Sequence, residues 1–497
     1  MSKVNIIEAY LVDGYLPTIG IECHVQLKTK TKLFSSVSNE ARGAEPNTLI
    51  NHICFGLPGA LPVLNKEAVR LSAKAAYALG TKPQKFSKFD RKHYFYPDLP
   101  KGYQISQFDE PIILGGSIAI YLEDGAQKNV NITRAHMEED AGKSTHPAGA
   151  DYSLVDLNRA GTPLLEIVSE PEMHSATEAK AYAKELWLRM KYSGVSDVDL
   201  YHGNMRFDVN VSVSKDFETL GTRSETKNLN SFKSVERAVE YEIKRQIELL
   251  EKNQPIVQET RGWLDDKQKT VSQRSKEDAH DYRYFPDPDI PPIVLDDSYL
   301  LEIEKDLSVK PDEWRSKLKV LGIDRLMIEN LLESQVEFNT DFLSLVTSNT
   351  PEKSKLYANW VVNIEVPLRR LNTEGDEIII NSEKRKFVFE GVGTLVGDNK
   401  VSSNSAKAII EELLVLSELP DNVENFAESR GYIQMSNSNE LEAIVDSVIS
   451  DNPKPAEDVR NGEMKAIGFL VGQAMKASAG KANPAEIQKI LKSKLGV

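Results

Sequence analysis

Apolar and polar residues alternate with period two in several stretches of the N-terminal half: Gly20-Ile-Glu-Cys-His-Val25, Val130-Asn-Ile-Thr-Arg-Ala135, Met205-Arg-Phe-Asp-Val-Asn-Val-Ser-Val213 and, more loosely, Gly221-Thr-Arg-Ser-Glu-Thr-Lys-Asn-Leu-Asn230. Successive side chains of an extended strand project to opposite faces, so this period predicts strands with one polar and one apolar side. On the first, Glu22 and His24 share a surface while Ile21, Cys23 and Val25 face the other way. On the third, Arg206, Asp208, Asn210 and Ser212 alternate with Phe207, Val209, Val211 and Val213; on the last, Arg223, Glu225 and Lys227 fall on one side. Charge gathered on one face of several strands predicts a sheet with a functional polar surface.

Elsewhere the spacing is helical. Ser175-Ala-Thr-Glu178 is a capping box, followed by the stripe Ala179, Tyr182, Ala183, Leu186 and Met190; Val235, Ala238, Val239, Ile243, Ile247 and Leu250 form a second stripe. Both are read as core. Gly56-Leu-Pro-Gly-Ala-Leu-Pro-Val63 has prolines that cannot donate to a ladder, so it is a structured loop leading into a helix near Glu67 to Leu79. The proline-dense Asp281-Tyr-Arg-Tyr-Phe-Pro-Asp-Pro-Asp-Ile-Pro-Pro292 is extended and marks a domain boundary. Beyond it, Tyr299–Leu307, Asp312–Val320, Asp324–Leu332, Val336–Val346 and Pro351–Val366 have helical spacing. Glu390-Gly-Val-Gly-Thr-Leu-Val-Gly-Asp-Asn399 reads as a turn-rich separator, after which Asn404-Ser-Ala-Lys407 begins a further helical unit. The class expected is α+β, in three parts: 1–295, 296–403 and 404–497.

Composition narrows the options. A chain of 497 residues exceeds one ordinary core, and 40% apolar with 27% charged residues is typical of a soluble protein. Neither a membrane span nor a signal peptide is legible, so cytoplasm is expected. Cys23 and Cys54 are the only cysteines, which excludes a disulfide framework. Net charge is −14, so nucleic-acid contact must be local. Residues 451–497 reverse the balance, with eight basic against five acidic residues; the local +3 fits an anionic partner or ordinary scatter.

Candidate chemistry begins at His136-Met-Glu-Glu-Asp-Ala-Gly-Lys143, where an imidazole, three carboxylates and a lysine follow the strand Val130–Ala135. Mg2+ takes oxygen ligands and is shared with substrate phosphates, so carboxylates at a strand end suit phosphoryl transfer. A solvated acidic loop, or a cross-strand ion pair between Glu22 and His24, would give the same local pattern. Ala-Gly-Lys-Ser144 has the ending of a phosphate-binding loop without its first glycine. No Gly-x-Ser-x-Gly elbow or recognisable glutaminase cysteine occurs.

Six long motifs carry a family resemblance: Ile19-Gly-Ile-Glu-Cys-His-Val-Gln-Leu27, Phe55-Gly-Leu-Pro-Gly-Ala-Leu-Pro-Val-Leu-Asn65, Lys92-His-Tyr-Phe-Tyr-Pro-Asp-Leu-Pro-Lys-Gly-Tyr103, His136–Lys143, Asp156-Leu-Asn-Arg-Ala-Gly-Thr-Pro-Leu-Leu-Glu166 and Lys227-Asn-Leu-Asn-Ser-Phe232. With Gly468-Phe-Leu-Val-Gly-Gln-Ala-Met-Lys476 and Gly480-Lys-Ala-Asn-Pro484, they resemble the B subunits of aspartyl/glutamyl-tRNA amidotransferases. The resemblance implies an antiparallel-sheet cradle related to glutamine synthetase, a helical domain and a tRNA-binding tail of the YqeY type. It implies an ATP-dependent carbon–nitrogen ligase with glutamine as amido donor. ATP phosphorylates the side-chain carboxylate of misacylated Glu-tRNA(Gln) or Asp-tRNA(Asn), and ammonia then displaces phosphate. Carried onto this sequence, Glu138, Glu139 and Glu225 are catalytic and Glu22, His24, Glu138 and Glu225 hold Mg2+; Lys227 as a further catalytic residue, and Arg223 and Asp208 as ATP-binding residues, are added because they share strand faces with that site. Ammonia would come from a glutaminase of the amidase class, the A subunit, with a small C subunit completing a heterotrimer.

One departure concerns zinc. Where many members carry four cysteines, this chain has Ser35, Val37, Asn51 and Cys54, with His52 nearby. A site needing four ligands is not met, so no zinc is expected and the loop is expected to be held by packing alone. Two other readings remain: an autonomous ATP-dependent ligase for a small acid, and a non-catalytic tRNA-binding scaffold.

Overall fold

The computed structural model describes residues 8–275, 281–334, 340–371, 379–434, 438–478 and 482–497. The chain forms two compact units, Met1–Pro311 and Asp312–Val497. The first is built on a twelve-stranded sheet. Its strands are β1 (Leu16–Gln26), β2 (Asp90–His93), β3 (Tyr103–Ser106), β4 (Ile113–Leu114), β5 (Ser117–Tyr121), β6 (Gln127–Glu139), β7 (Pro163–Ser169), β8 (Met205–Ser214), β9 (Ser224–Leu229), β10 (Glu259–Leu264), β11 (Lys269–Ser275) and β12 (Phe285–Pro286). The order across the sheet is β11-β10-β9-β8-β1-β7-β6-β3-β2-β12, with β4 and β5 also paired to β6. The strand that comes first in the chain thus lies near the middle.

Neighbours run antiparallel except β9 and β10, which are parallel. The antiparallel sheet that the resemblance implies is thus mixed at this one pair. A parallel return needs a crossover, and a helix, α3 (Phe232–Glu251), supplies it between Leu229 and Glu259.

Two further helices of this unit are α1 (Lys66–Ala78) and α2 (Ala176–Tyr192). Ser175 Oγ accepts from Glu178 N, and the Glu178 carboxylate reaches back to His174 N, so the capping box closes one residue early. The α2 stripe is fully buried, as is the α3 stripe apart from the partly buried Leu250. They cover the sheet face that carries Ile21, Cys23, Val25, Phe207, Val209 and Val211. Each large aliphatic side chain buried there contributes about 1.5–3 kcal/mol. The opposite face carries the charged residues.

The second unit is helical, with helices at Arg325–Glu333, Thr340–Thr347, Pro351–Trp360, Ser382–Gly397 and Ser403–Val415 among others. Its last four helices, Ser438–Asp451, Pro453–Arg460, Lys465–Ala477 and Pro484–Leu495, enclose a core of their own that includes Leu441, Val445, Leu470, Ile487 and Leu491. Residues 335–339, within and just before the expected helix Val336–Val346, and Gly480 and Lys481 of the tail turn lie outside the described residues.

The turn-rich reading of Glu390–Asn399 is corrected: Ser382–Gly397 is one helix. Two of its glycines answer to packing. A Cβ on Gly391 would meet Val423 Cγ2 at 2.5 Å, and one on Gly393 would meet Tyr357 Oη at 2.8 Å. Among the described residues no helix is long and apolar enough to cross a membrane.

Candidate functional site

The sheet register assembles the polar face. Across β8, β1, β7 and β6, Arg206 lies opposite His24, His24 opposite Glu166, and Glu166 opposite His136. Glu138 is two residues along β6 from His136 and therefore on the same side. His24 Nε2 stands 3.4 Å from Glu166 Oε2 and 3.5 Å from Glu138 Oε1. His136 Nε2 stands 3.5 Å from Glu166 and 3.9 Å from Glu138. One ligand atom from each of His24, Glu138 and Glu166 falls within 4.8 Å of the others, a spacing that a single cation can span.

Burial makes this cluster electrostatically demanding, because each unpaired carboxylate taken from water costs several kcal/mol. Burial opposes protonation of His24, but Glu166 and Glu138 outweigh it and push the imidazole up to about 9. Burial, then Glu166, pushes the Glu138 carboxyl up to about 7. For Glu166 burial acts upward, yet the imidazoles prevail and hold it below the ordinary carboxylate range, with His24 carrying the charge. Burial pulls His136 down to about 4. Lys92, on β2, is also raised: burial opposes the charge and Glu138 restores it.

Toward β9 the face continues. Glu22 accepts from Asn210 Nδ2 at 3.0 Å, and burial, Glu166 and Glu225 raise its carboxyl. Lys227 pairs with Glu225 at 3.0 Å and Asp208 at 3.4 Å; burial opposes its charge, but these carboxylates raise its pKa. Thr260 on β10 donates to Glu225 at 2.9 Å. Asp208 also accepts from Asn228 N, where the β8–β9 register shifts and Asn228 has φ of 65°. Arg223 is exposed and makes no ion pair among the described residues. It lines a cleft of about 190 Å³ with Gly20, Glu22, Asn210, Ser212 and Gly221.

Of the residues picked out in the sequence, His24 and Glu138 therefore meet directly, while Glu22, Asp208, Glu225 and Lys227 form an adjoining group. Glu139 is placed apart: its carboxylate accepts from Ile105 N at 3.0 Å and pairs with Lys101. Sequence reasoning left Glu166 and His136 without a site role. Glu166 had a usable signal as the single charge in the otherwise apolar Pro163–Ser169, since a buried carboxylate needs partners. Arg206 also belongs here, linked to Asp140 at 3.0 Å, and Asp140 to Arg159 at 3.2 Å.

The cysteine-depleted loop is held by more than packing, which corrects that expectation. Lys32 Nζ donates to Leu49 O at 2.7 Å and lies 3.6 Å from Cys54 Sγ, which is 3.7 Å from Ser35 Oγ. Asn51 Oδ1 accepts from Ile53 N and Cys54 N. His52 is exposed.

Comparison with known proteins connects this geometry to a family. A family model described as the GatB/GatE catalytic domain matches residues 17–301, and one described as the GatB domain matches residues 341–495. The chain is 44% identical over 499 residues to the aspartyl/glutamyl-tRNA(Asn/Gln) amidotransferase B subunit of Carboxydothermus hydrogenoformans, covering 97% of this chain and 99% of that protein. The protein of the same name from Alkalilimnicola ehrlichii is 45% identical over 482 residues, covering 96% and 98%. That from Persephonella marina is 44% identical over 481 residues, covering 96% and 99%. The chain belongs to the family of aspartyl/glutamyl-tRNA(Asn/Gln) amidotransferase B subunits.

Proposed function

We propose that this chain is the component of a tRNA-dependent amidotransferase that activates the misacylated amino acid. ATP transfers its γ-phosphoryl group to the side-chain carboxylate of glutamate on tRNA(Gln), of aspartate on tRNA(Asn), or of both. Ammonia then attacks the acyl phosphate, phosphate leaves, and the amide remains. A carboxylate resists amines until one oxygen becomes a leaving group, so activation has to precede ammonia. The observation that carries this reading is the meeting of His24, Glu138 and Glu166 on a polar sheet face.

The donor set fits a divalent cation, with two carboxylates and one imidazole in reach of one point. We assign Mg2+ to His24, Glu138 and Glu166, with Glu22 and Glu225 on the adjoining surface. Bound there, Mg2+ would supply the positive charge that offsets the negative charge of the transferred phosphoryl group. Lys227 and Arg223 supply fixed positive charge toward the cleft, where we place ATP beside Asp208. Glu139, assigned a catalytic role from the family, instead orients the β3 end through Ile105 N and Lys101. Zinc does not fit the Ser35–Cys54 loop, because an ammonium, a hydroxyl and one thiol stand where four ligands are needed.

We further propose an amidase, the A subunit, as the ammonia source, a small C subunit, a cytoplasmic location and division of labour among residues 1–295, 296–403 and 404–497. The decisive experiment reconstitutes the complex with radiolabelled ATP and compares Glu-tRNA(Gln), Asp-tRNA(Asn) and free glutamate. Phosphate release is expected only with aminoacyl-tRNA. Release with free glutamate alone would favour an autonomous ligase, and tRNA binding without any release a scaffold.

A further inference from the structure

The proline-dense segment that follows β11 carries three aromatic residues beyond its role as a boundary, Tyr282, Tyr284 and Phe285. Two of them build a wall at the β6–β3–β2 end of the polar face. Tyr284 stacks on Phe108 with centroids 4.0 Å apart and an interplanar angle of 13°. Tyr282 stands edge-on to Tyr284 at 6.0 Å and to Tyr94 at 6.1 Å. Lys92 Nζ, beside the acidic cluster, is 4.9 Å from the Tyr282 ring. The wall therefore starts at the cluster and ends outward at Phe108, a residue that remains 47% exposed.

Phe108 is held in place: its backbone N–H and that of Asp109 both donate to the buried Asp90 carboxylate at 3.1 Å. The Arg134 guanidinium lies 6.0 Å from its centroid, and the buried Arg134 Nε has no hydrogen-bond partner among the described residues. Arg134 precedes His136 and Glu138 on the same side of β6, so it sits about 7 and 13 Å along the strand from them. A preset aromatic ring, a neighbouring cation with a spare donor, and continuity with the reacting centre are the components of single-stranded base recognition.

We propose that Phe108 and Tyr284, with Arg134, form a stacking subsite for the 3′-terminal adenine of the aminoacylated acceptor end. This rests on the proposed role of the acidic cluster, which it deepens. ATP carries the same base, but the cleft bearing Arg223 is lined from β7, β1, β8 and the residues before β9, with none of Phe108, Tyr284 or Arg134 in its lining. The aromatic wall rises instead from Phe108 after β3 and from Tyr282 and Tyr284 before β12, so the two nucleosides take separate places on the face.

The test uses the assembled amidotransferase and a tRNA whose terminal adenine is replaced by 2-aminopurine, which loses fluorescence when it stacks. Quenching is expected with the wild type and with Phe108→Trp, and its loss with Phe108→Ala. In amide formation, Phe108→Ala should raise KM for aminoacyl-tRNA roughly 5- to 150-fold, the penalty for one lost base stack, and leave KM for ATP unchanged. Quenching that survives Phe108→Ala, or a rise in KM for ATP alone, overturns the subsite. The Glu138→Gln variant keeps the two readings separable: it should lose phosphorylation and retain quenching, and full activity in it would remove the metal assignment without touching the fluorescence result.

Discussion

Glu166 reaches its partners only through sheet register. Its neighbours in the chain are apolar, and the residues it meets come from positions 24 and 136–138 on two other strands. Alternation in the sequence tells which side chains share a face of one strand, which is why His24 and Glu138 were legible. It does not tell which strands are adjacent or how they are staggered, which is why Glu166 was missed and why His136, in the acidic run, and Arg206, on a polar strand face, were given no role. Replacing Glu166 or Glu138 with Gln should lower phosphorylation of the aminoacyl group by roughly two orders of magnitude, corresponding to several kcal/mol of charge stabilisation. Mn2+ binding, followed by paramagnetic resonance in the absence of nucleotide, should weaken in the same two variants. Glu139→Gln tests the opposite assignment: it breaks a buried ion pair and should cost about 3 kcal/mol in denaturant unfolding. If it instead abolished phosphorylation at unchanged stability, Glu139 would belong with the reacting groups.

The helix Ser382–Gly397 and the loop around Cys54 illustrate what glycine and cysteine counts convey at the level of an element. Glycine normally punctuates, so Glu390–Asn399 read as a turn, yet Gly391 and Gly393 are there because Val423 and Tyr357 press against the helix. The reason lies in residues more than twenty positions away, beyond any local pattern. Gly393→Ala should therefore lower Tm, with a cost of about 1–3 kcal/mol from overpacking against the buried Tyr357. Gly397, which has nothing within 4 Å of a Cβ, is the control, and Gly397→Ala should be neutral or stabilising by up to about 1 kcal/mol. The main strands, the capping box and the α2 and α3 stripes were readable because their signals are local. For the loop, elemental analysis of the purified chain should find no stoichiometric zinc, and a chelator should leave Tm unchanged; one tightly held zinc per chain would refute this. Lys32→Met should lower Tm by removing the ammonium that ties the loop to Leu49.

For the molecule as a whole, charge is unevenly distributed: the acidic face sits in the first unit, whereas residues 451–497, part of the separate core of the last four helices, carry eight basic against five acidic residues. Lys494 is engaged with Asp446 at 2.6 Å, whereas Lys489 is exposed and Lys492 half-exposed on the same helix, both open to an anionic partner. A deletion of residues 438–497 removes that core without cutting the packed helices Ser382–Gly397 and Ser403–Val415. It should weaken tRNA binding and flatten its salt dependence, by about one slope unit for each phosphate no longer neutralised; equal affinity and slope would show that RNA is held elsewhere. The central position of β1 has a consequence in time. Its two neighbours, β7 and β8, are synthesised well over a hundred residues later, so this strand waits longer than any other of the sheet for its first partner. At roughly 5–20 residues per second, translation from Gln26 to Ser169 takes about seven to thirty seconds, during which Ile19, Ile21 and Val25 have no sheet to join. The nascent chain must be kept from aggregating over that interval. Fragments ending at Tyr192 should accordingly be insoluble or chaperone-bound, whereas one ending at Pro311 should be soluble, as centrifugation after synthesis in a purified translation system would reveal.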